Sequence, residues 1–450
     1  MKFKDYQAIY ESKTQLSKKN YARSLKVFPG GINHNIRFFE PYPFFVSKAK
    51  RNFLFDADGN RYTDYWMGHW ALVLGHSNPS VITAVSKQIK SGTLYGTVNN
   101  ISVELAEAIQ KLMPKAELIR FSSTGSEATM YAIRVARAKT GKRVIVKAIG
   151  GWHGFNTSLL QTVNYPFEFD ESLGLLYEEG NFVESIPFND LDRSLKVLES
   201  IKDDLAGIII EPILGAGGCI PAARQYLLGL QEFAKKNDSL FILDEIVTGF
   251  RISIHGAMNV YRLDPDLFTL GKIVGGGMPV GVVCGKKDVM SIVDPIRRKQ
   301  KYKRCSIGGG TFSANPVTMS AGLATIKYLE RNKESLYNKL NKLGSEARKR
   351  ISKIFYDAKI NVELTGKGSL FLTHFLNGNV TKIDNAAAVA MSNRKLLNRY
   401  HIALLAKHDI FFLPGKMGCF SEAHNDNDLG ELVSATESIV NTGMLSRLSG

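Results

Sequence analysis

The chain has 450 residues, 44% of them hydrophobic and 22% charged, with a net charge of +16 at pH 7. That balance is ordinary for a globular protein with a full core, and the length allows either about three average domains or one large α/β domain with a smaller companion. Met1-Lys2-Phe3-Lys4-Asp5 leads into a polar segment with no apolar leader, and no apolar run approaches the ~20 residues that span a bilayer, so a cytoplasmic protein without a membrane partner is expected. Cys219, Cys284, Cys305 and Cys419 are scattered without CxxC spacing, which points to neither a metal site nor a disulfide framework.

Residues 1–28 read as a polar amphipathic arm. Asp58-Gly59 is a turn signal between two apolar runs, so residues 53–62 are expected to form a hairpin. From about residue 80 to 330, strands and helices alternate. Leu118 to Phe121, Arg143 to Ala148, Leu205 to Ile210 and Leu240 to Leu243 read as strands. Ser126 to Lys139 and Ala222 to Lys236 read as helices, the first with apolar residues at 128, 131, 132, 135 and 136 and Gly141 as its stop. Such alternation predicts a doubly wound, mostly parallel sheet with ligands at the carboxyl ends of its strands. From about residue 335 the pattern becomes a long charged helix (Glu334 to Ile354), a strand (Ser369 to Phe375), a helix near Ala386 to Tyr400 and a last helix from near Asp428. We therefore expect three segments. Residues 1–79 are an arm and hairpin packing with the small domain, 80–334 a large domain, and 335–450 a small α+β domain capping the site.

The polar residues with chemical promise fall at the predicted strand ends. Phe121-Ser122-Ser123-Thr124-Gly125-Ser126-Glu127-Ala128 joins a strand to a helix, where a helix N-terminus and a glycine suit an anion; an ordinary turn with Ser126 as cap reads equally well. Trp152, in Gly150-Gly151-Trp152-His153-Gly154, could stack on a flat ligand or simply fill core. Glu211-Pro212 ends another strand. Leu240 to Leu243 delivers the pair Asp244-Glu245, and Lys272 follows in Leu270-Gly271-Lys272-Ile273. An acid and an amine at strand ends are what pyridoxal-phosphate chemistry needs: the amine engages the aldehyde, and the acid keeps the ring nitrogen protonated. The basic run from Arg297 to Arg304 reads as a solvated loop or a positive mouth for anionic substrates, because no nucleic-acid motif accompanies it.

Asp244-Glu245-Ile246-Val247-Thr248-Gly249-Phe250-Arg251, Pro265-Asp266-Leu267 and Gly271-Lys272 resemble the signature of the class III pyridoxal-phosphate aminotransferases. Within that class the likeness is to the glutamate-1-semialdehyde 2,1-aminomutases, and it runs from Pro29-Gly30-Gly31 to Phe412-Leu413-Pro414. The resemblance implies a fold-type I transferase, pyridoxal 5'-phosphate as cofactor, and small-molecule amino acid and keto acid substrates. By this likeness Lys272 carries the cofactor and shuttles a proton, while Asp244 faces the ring nitrogen. Ile246 and Trp152 take the two ring faces, with His153 behind. Gly125 and Ser126 belong to the phosphate cup, Thr124 and Ser126 having exchanged the two hydroxyl residues of the family's Ser-Gly-Thr-Glu-Ala. Thr311, in Gly308-Gly309-Gly310-Thr311-Phe312, matches a threonine that reaches the phosphate from the neighbouring subunit of a homodimer; alternatively it opens the next helix. Arg37 aligns with an arginine that binds substrate carboxylate.

The likeness breaks on the substrate side. His34 replaces a small hydroxyl residue, Ala216 an asparagine, Gly415-Lys416-Met417-Gly418 a segment bearing an acid, and Gly68-His69-Trp70 a shifted Thr-Trp-Gly. A retained cofactor shell with a rewritten substrate side favours amino transfer between a carboxylate-bearing donor and a keto or aldehyde acceptor. The aminomutase reaction comes second, and amino-acid racemisation third.

Overall fold

The computed structural model describes residues 2–168, 171–296, 300–378 and 380–445. The chain folds into two compact units, one of Pro79–Tyr337 with Asp384–Ala387, the other of Met1–Asn78, Asn338–Ile383 and Ala388–Gly450.

The first unit is built on a seven-stranded sheet. Its order is Leu118–Ser122, Gly281–Gly285, Leu267–Gly271, Leu240–Asp244, Leu205–Ile210, Val144–Ala148, Val183–Ile186. All neighbours run parallel except Gly281–Gly285, which is antiparallel to both strands it touches. The fold is α/β and mostly parallel, as read from the alternation. Leu205–Ile210, Leu240–Asp244 and Leu267–Gly271 are buried along their whole length, which is why they read as continuous apolar runs without alternation.

The helix after the first strand covers Gly125–Thr140. Thr124 Oγ1 accepts from Glu127 N and the Glu127 carboxylate accepts from Thr124 N, a reciprocal cap, and Gly141 ends the helix at φ +73°. Ala128, Tyr131, Ala132, Val135 and Ala136 are all buried, the stripe predicted from spacing. The cap is therefore Thr124, and Ser126 is released from that duty.

In the second unit, strands Phe53–Asp56 and Arg61–Asp64 pair antiparallel around Gly59, which takes φ +91°. Val46–Lys50 and Ile410–Phe411 extend them to four strands. The N-terminal arm is two helices, Phe3–Lys13 and Gln15–Ser24; Asp58 at the hairpin tip accepts from the N–H groups of Leu16 and Ser17 at the start of the second. The helix expected near Ala386 to Tyr400 is instead two, Ala386–Ala390 and Arg394–His408. The Asn393 side chain accepts from Leu396 N and so begins the second helix where unbroken periodicity had been read. Among the described residues no helix is long and apolar enough to cross a membrane.

Candidate active site

Five strand ends of the large sheet bring all the predicted residues of that unit except Thr311 to one edge. Asp244 closes its strand, and Gly271-Lys272 follows the strand beside it; Gly125 and Ser126 follow Leu118–Ser122, Gly151 and Trp152 follow Val144–Ala148, and Glu211 follows Leu205–Ile210.

Asp244 is 4% exposed and held on both oxygens. Its Oδ1 accepts from Thr269 Oγ1 at 2.9 Å and from Ile246 N at 3.1 Å, and its Oδ2 lies 2.7 Å from His153 Nδ1. A carboxylate offers about four acceptor positions. Three partners leave it rigid and still able to accept one more proton donor.

Lys272 is half-buried, and its backbone takes φ +48°. A non-glycine residue held there marks strain that the surroundings enforce, a common property of functional positions. Burial lowers the amine pKa from 10.5 to about 8; the negative charges of Asp244 and Glu211 oppose the drop, and the Arg251 guanidinium adds to it. Arg251, fully buried, and Tyr337, buried, lie in the same region, with Tyr337 Oη donating to Phe250 O.

Ile246 packs between two backbones. A Cβ placed on Gly125 would meet Ile246 Cδ1 at 2.8 Å, and one on Gly271 would meet Ile246 Cγ2 at 3.2 Å. Gly125 and Ser126 occupy the first turn of their helix, where backbone N–H groups have no partner within the helix and the dipole favours an anion. Ser126 Oγ accepts from Phe155 N at 3.0 Å, and at Gly154 any side chain would strike Ser126. Trp152 is half-buried, so it is not core filling, and its ring meets Phe155 edge-on at 5.4 Å. Glu211 sets its position, accepting from Trp152 N at 2.9 Å and from Gly215 N at 3.0 Å. Burial raises the Glu211 carboxyl pKa, with the His153 charge pulling the other way.

Thr311 is exposed in a turn of the same unit. It does not open the following helix, which begins at Pro316 with Asn315 as its cap. Beside it, a Cβ on Gly310 would lie 3.1 Å from Glu127 Oε1. Arg37 stands in the other compact unit, exposed, with one guanidinium nitrogen 3.3 Å from Asn33 Oδ1. Of the basic run, Arg297, Arg298 and Lys299 lie outside the described residues; Tyr302, farther along, is exposed.

Sequence reading missed the Asp244 anchors. Thr269 carried the available signal, a lone hydroxyl inside the buried run Leu267 to Leu270. It also missed Lys147, a fully buried amine in the strand Val144–Ala148, whose Nζ donates to Gln161 O at 2.6 Å.

The family model of the class III aminotransferases ("Aminotransferase class-III") matches residues 38–396. The chain belongs to this family. A glutamate-1-semialdehyde 2,1-aminomutase of Archaeoglobus fulgidus is 36% identical over 428 residues, covering 94% of this chain and 99% of that protein. Among solved structures, an omega-transaminase from Sphaerobacter thermophilus superposes with a TM-score of 0.88 at 30% identity, over 94% of this chain and 97% of that one. A transaminase with pyridoxal phosphate bound gives 0.87 at 29%, over 96% and 99%.

As a class III aminotransferase the chain is a fold-type I enzyme that depends on pyridoxal phosphate. The residues present fit that group. They offer an amine held partly uncharged near neutral pH, a carboxylate anchored at three points with an acceptor position left, a glycine-bearing helix N-terminus, and a half-buried indole.

Proposed function

We propose that this class III aminotransferase moves an amino group from a carboxylate-bearing amino donor to a keto or aldehyde acceptor, with Lys272 and Asp244 as its catalytic pair. The observation that carries this is the low-pKa amine of Lys272 within electrostatic reach of the triply anchored Asp244 carboxylate. Bound there, pyridoxal phosphate supplies an aldehyde for amine exchange and a ring that takes up electrons from the bond broken at the substrate carbon.

The chain's own residues do the rest. Lys272 would hold the cofactor at rest, and its Nζ, whose lowered pKa keeps a useful share of free base, would take the proton from the substrate carbon. Asp244 holds negative charge against the ring nitrogen, and His153, Thr269 and Ile246 N keep that carboxylate from turning away. Gly125 and Ser126 present helix N–H groups to the phosphate. Ile246 and Trp152 would flank the ring. Arg37 meets the substrate carboxylate as a planar fork.

Thr311, exposed in the single chain, reaches the phosphate of a second copy, so the working unit is a homodimer. Thr311→Ala is expected to weaken cofactor retention severalfold in a protein that sediments at twice the chain mass. A single-chain mass with full cofactor retention removes this assignment.

The second reading is intramolecular amino exchange, favoured by the 36% identity to an aminomutase over 94% of the chain. An aminomutase keeps its intermediate bound until the amino group returns, whereas an aminotransferase releases one product and admits another substrate. His34, Ala216 and Gly415-Lys416 stand where the aminomutase pattern has small, amide and acidic groups. We therefore expect ping-pong kinetics with separate donor and acceptor. Glutamate 1-semialdehyde supplied alone should give little 5-aminolevulinate; efficient conversion without added donor or acceptor would overturn the transfer reading in favour of the second.

A further inference from the structure

Three of the departures from the aminomutase pattern lie in the unit that contains Arg37, and the structure bonds two of them, at 68–70 and 415–418, to each other. Met67, Gly68, His69 and Trp70 take φ of +45°, +59°, +65° and +63°, four successive residues in the left-handed region. Side-chain-bearing residues rarely visit that region even singly, and a run of them persists only where neighbours over-determine it.

The neighbours are identifiable. Asp64, buried, accepts on Oδ1 from Trp66 N at 2.8 Å and Met67 N at 3.1 Å, while its Oδ2 is 2.7 Å from His76 Nε2. Trp70 N donates to Trp66 O at 2.9 Å. Trp70 Nε1 donates to Met417 O at 2.8 Å, and Gly415, two residues earlier, donates its N–H to His401 Nδ1. The rewritten turn at 415–417 thus holds the rewritten turn at 67–70.

What this strain achieves is the placing of rings. His69 stacks on Trp66 with centroids 4.6 Å apart and planes 28° off parallel, and Trp70 meets both edge-on at 4.7 and 4.8 Å. His34 stands 6.1 Å from His69 at 60°, three residues before Arg37 on the chain. Trp70 is buried and serves as the root of the cluster. Trp66 and His69 remain half-buried and His34 exposed, so a ring surface is left for a ligand. Partial desolvation, and then the charge of Arg37, lower the His34 pKa below the ordinary histidine value.

We infer that Trp66, His69 and His34 form a shelf for the aryl group of a substrate whose carboxylate is held by Arg37, making the amino donor an aryl-bearing amino acid. This rests on the reading of Arg37 given above. Edge-to-face and offset ring contacts favour an aryl group over an alkyl chain of similar area by about 3- to 10-fold in affinity.

The test uses the pyridoxal-phosphate-loaded enzyme, titrated by calorimetry with phenylpropanoate and with hexanoate. The expected result is tighter binding of phenylpropanoate by about 3- to 10-fold. The preference should vanish in His69→Asn, chosen because asparagine tolerates the left-handed backbone, and shrink in His34→Ser, which leaves the strained turn untouched. Equal binding of the two carboxylates by the native enzyme, binding of neither, or a preference that survives both substitutions overturns the shelf. The Arg37 reading fails separately, if Arg37→Ala leaves affinity for both ligands unchanged. A ratio between two ligands is a readout that a merely structural loss would not move.

Discussion

Lys272→Ala is expected to abolish covalent attachment of pyridoxal phosphate and to lower amino transfer by at least about a thousandfold, since it removes both the anchor and the proton carrier. Borohydride reduction followed by intact mass reads the first effect directly, because the native chain gains one pyridoxyl group and the variant none. Lys147 is the amine to watch, being buried with a pKa lowered to about 7, but its Nζ is committed to Gln161 O. Labelling of Lys147 in the native chain, or a reduced adduct and full rate in Lys272→Ala, sinks the assignment. The pH profile gives a second check. Only the neutral amine engages an aldehyde, so with a pKa of about 8 the attachment rate should rise with pH below that value and level off above it. An unperturbed lysine would keep climbing towards 10.5.

Asp244→Asn should retain the cofactor through Lys272 and the phosphate site but lose roughly 10²–10³-fold in turnover. Charge against the ring nitrogen is lost, and the anchoring changes as well. An asparagine oxygen can still accept from Thr269 and Ile246 N, but its amide nitrogen then faces His153 Nδ1 as a donor, where a carboxylate could only accept. Single-turnover rates with one amino donor separate this from substrate binding. A change of only a few-fold would mean that another group holds the nitrogen.

Much of the fold and part of the site were legible from local pattern. The helix over Gly125–Thr140 announced itself by its apolar spacing and by Gly141, and the buried strands by unbroken apolar runs. The helix break at Asn393 was not legible, because the residues on both sides suit a helix and only a side chain bonding its own backbone divides them.

The sequence by itself determined which residue types stand at the strand ends: the acid at 244, the amine at 272, the glycine-rich entry to the helix at 125. Those are local facts, set by period and by turn chemistry. Tertiary structure alone decided what each meets. Asp244 is reached by His153 across 91 residues and by Thr269 across 25, because strand order and register place them side by side. The antiparallel strand Gly281–Gly285 carries no pattern that betrays its direction. It fits because Gly281 lacks a side chain that would collide with the Thr124 carbonyl. The left-handed turn at 67–70 is likewise invisible in its residues, three of which disfavour it. It exists because Asp64, just ahead of it, holds its start, and Met417, 347 residues beyond Trp70, holds its end.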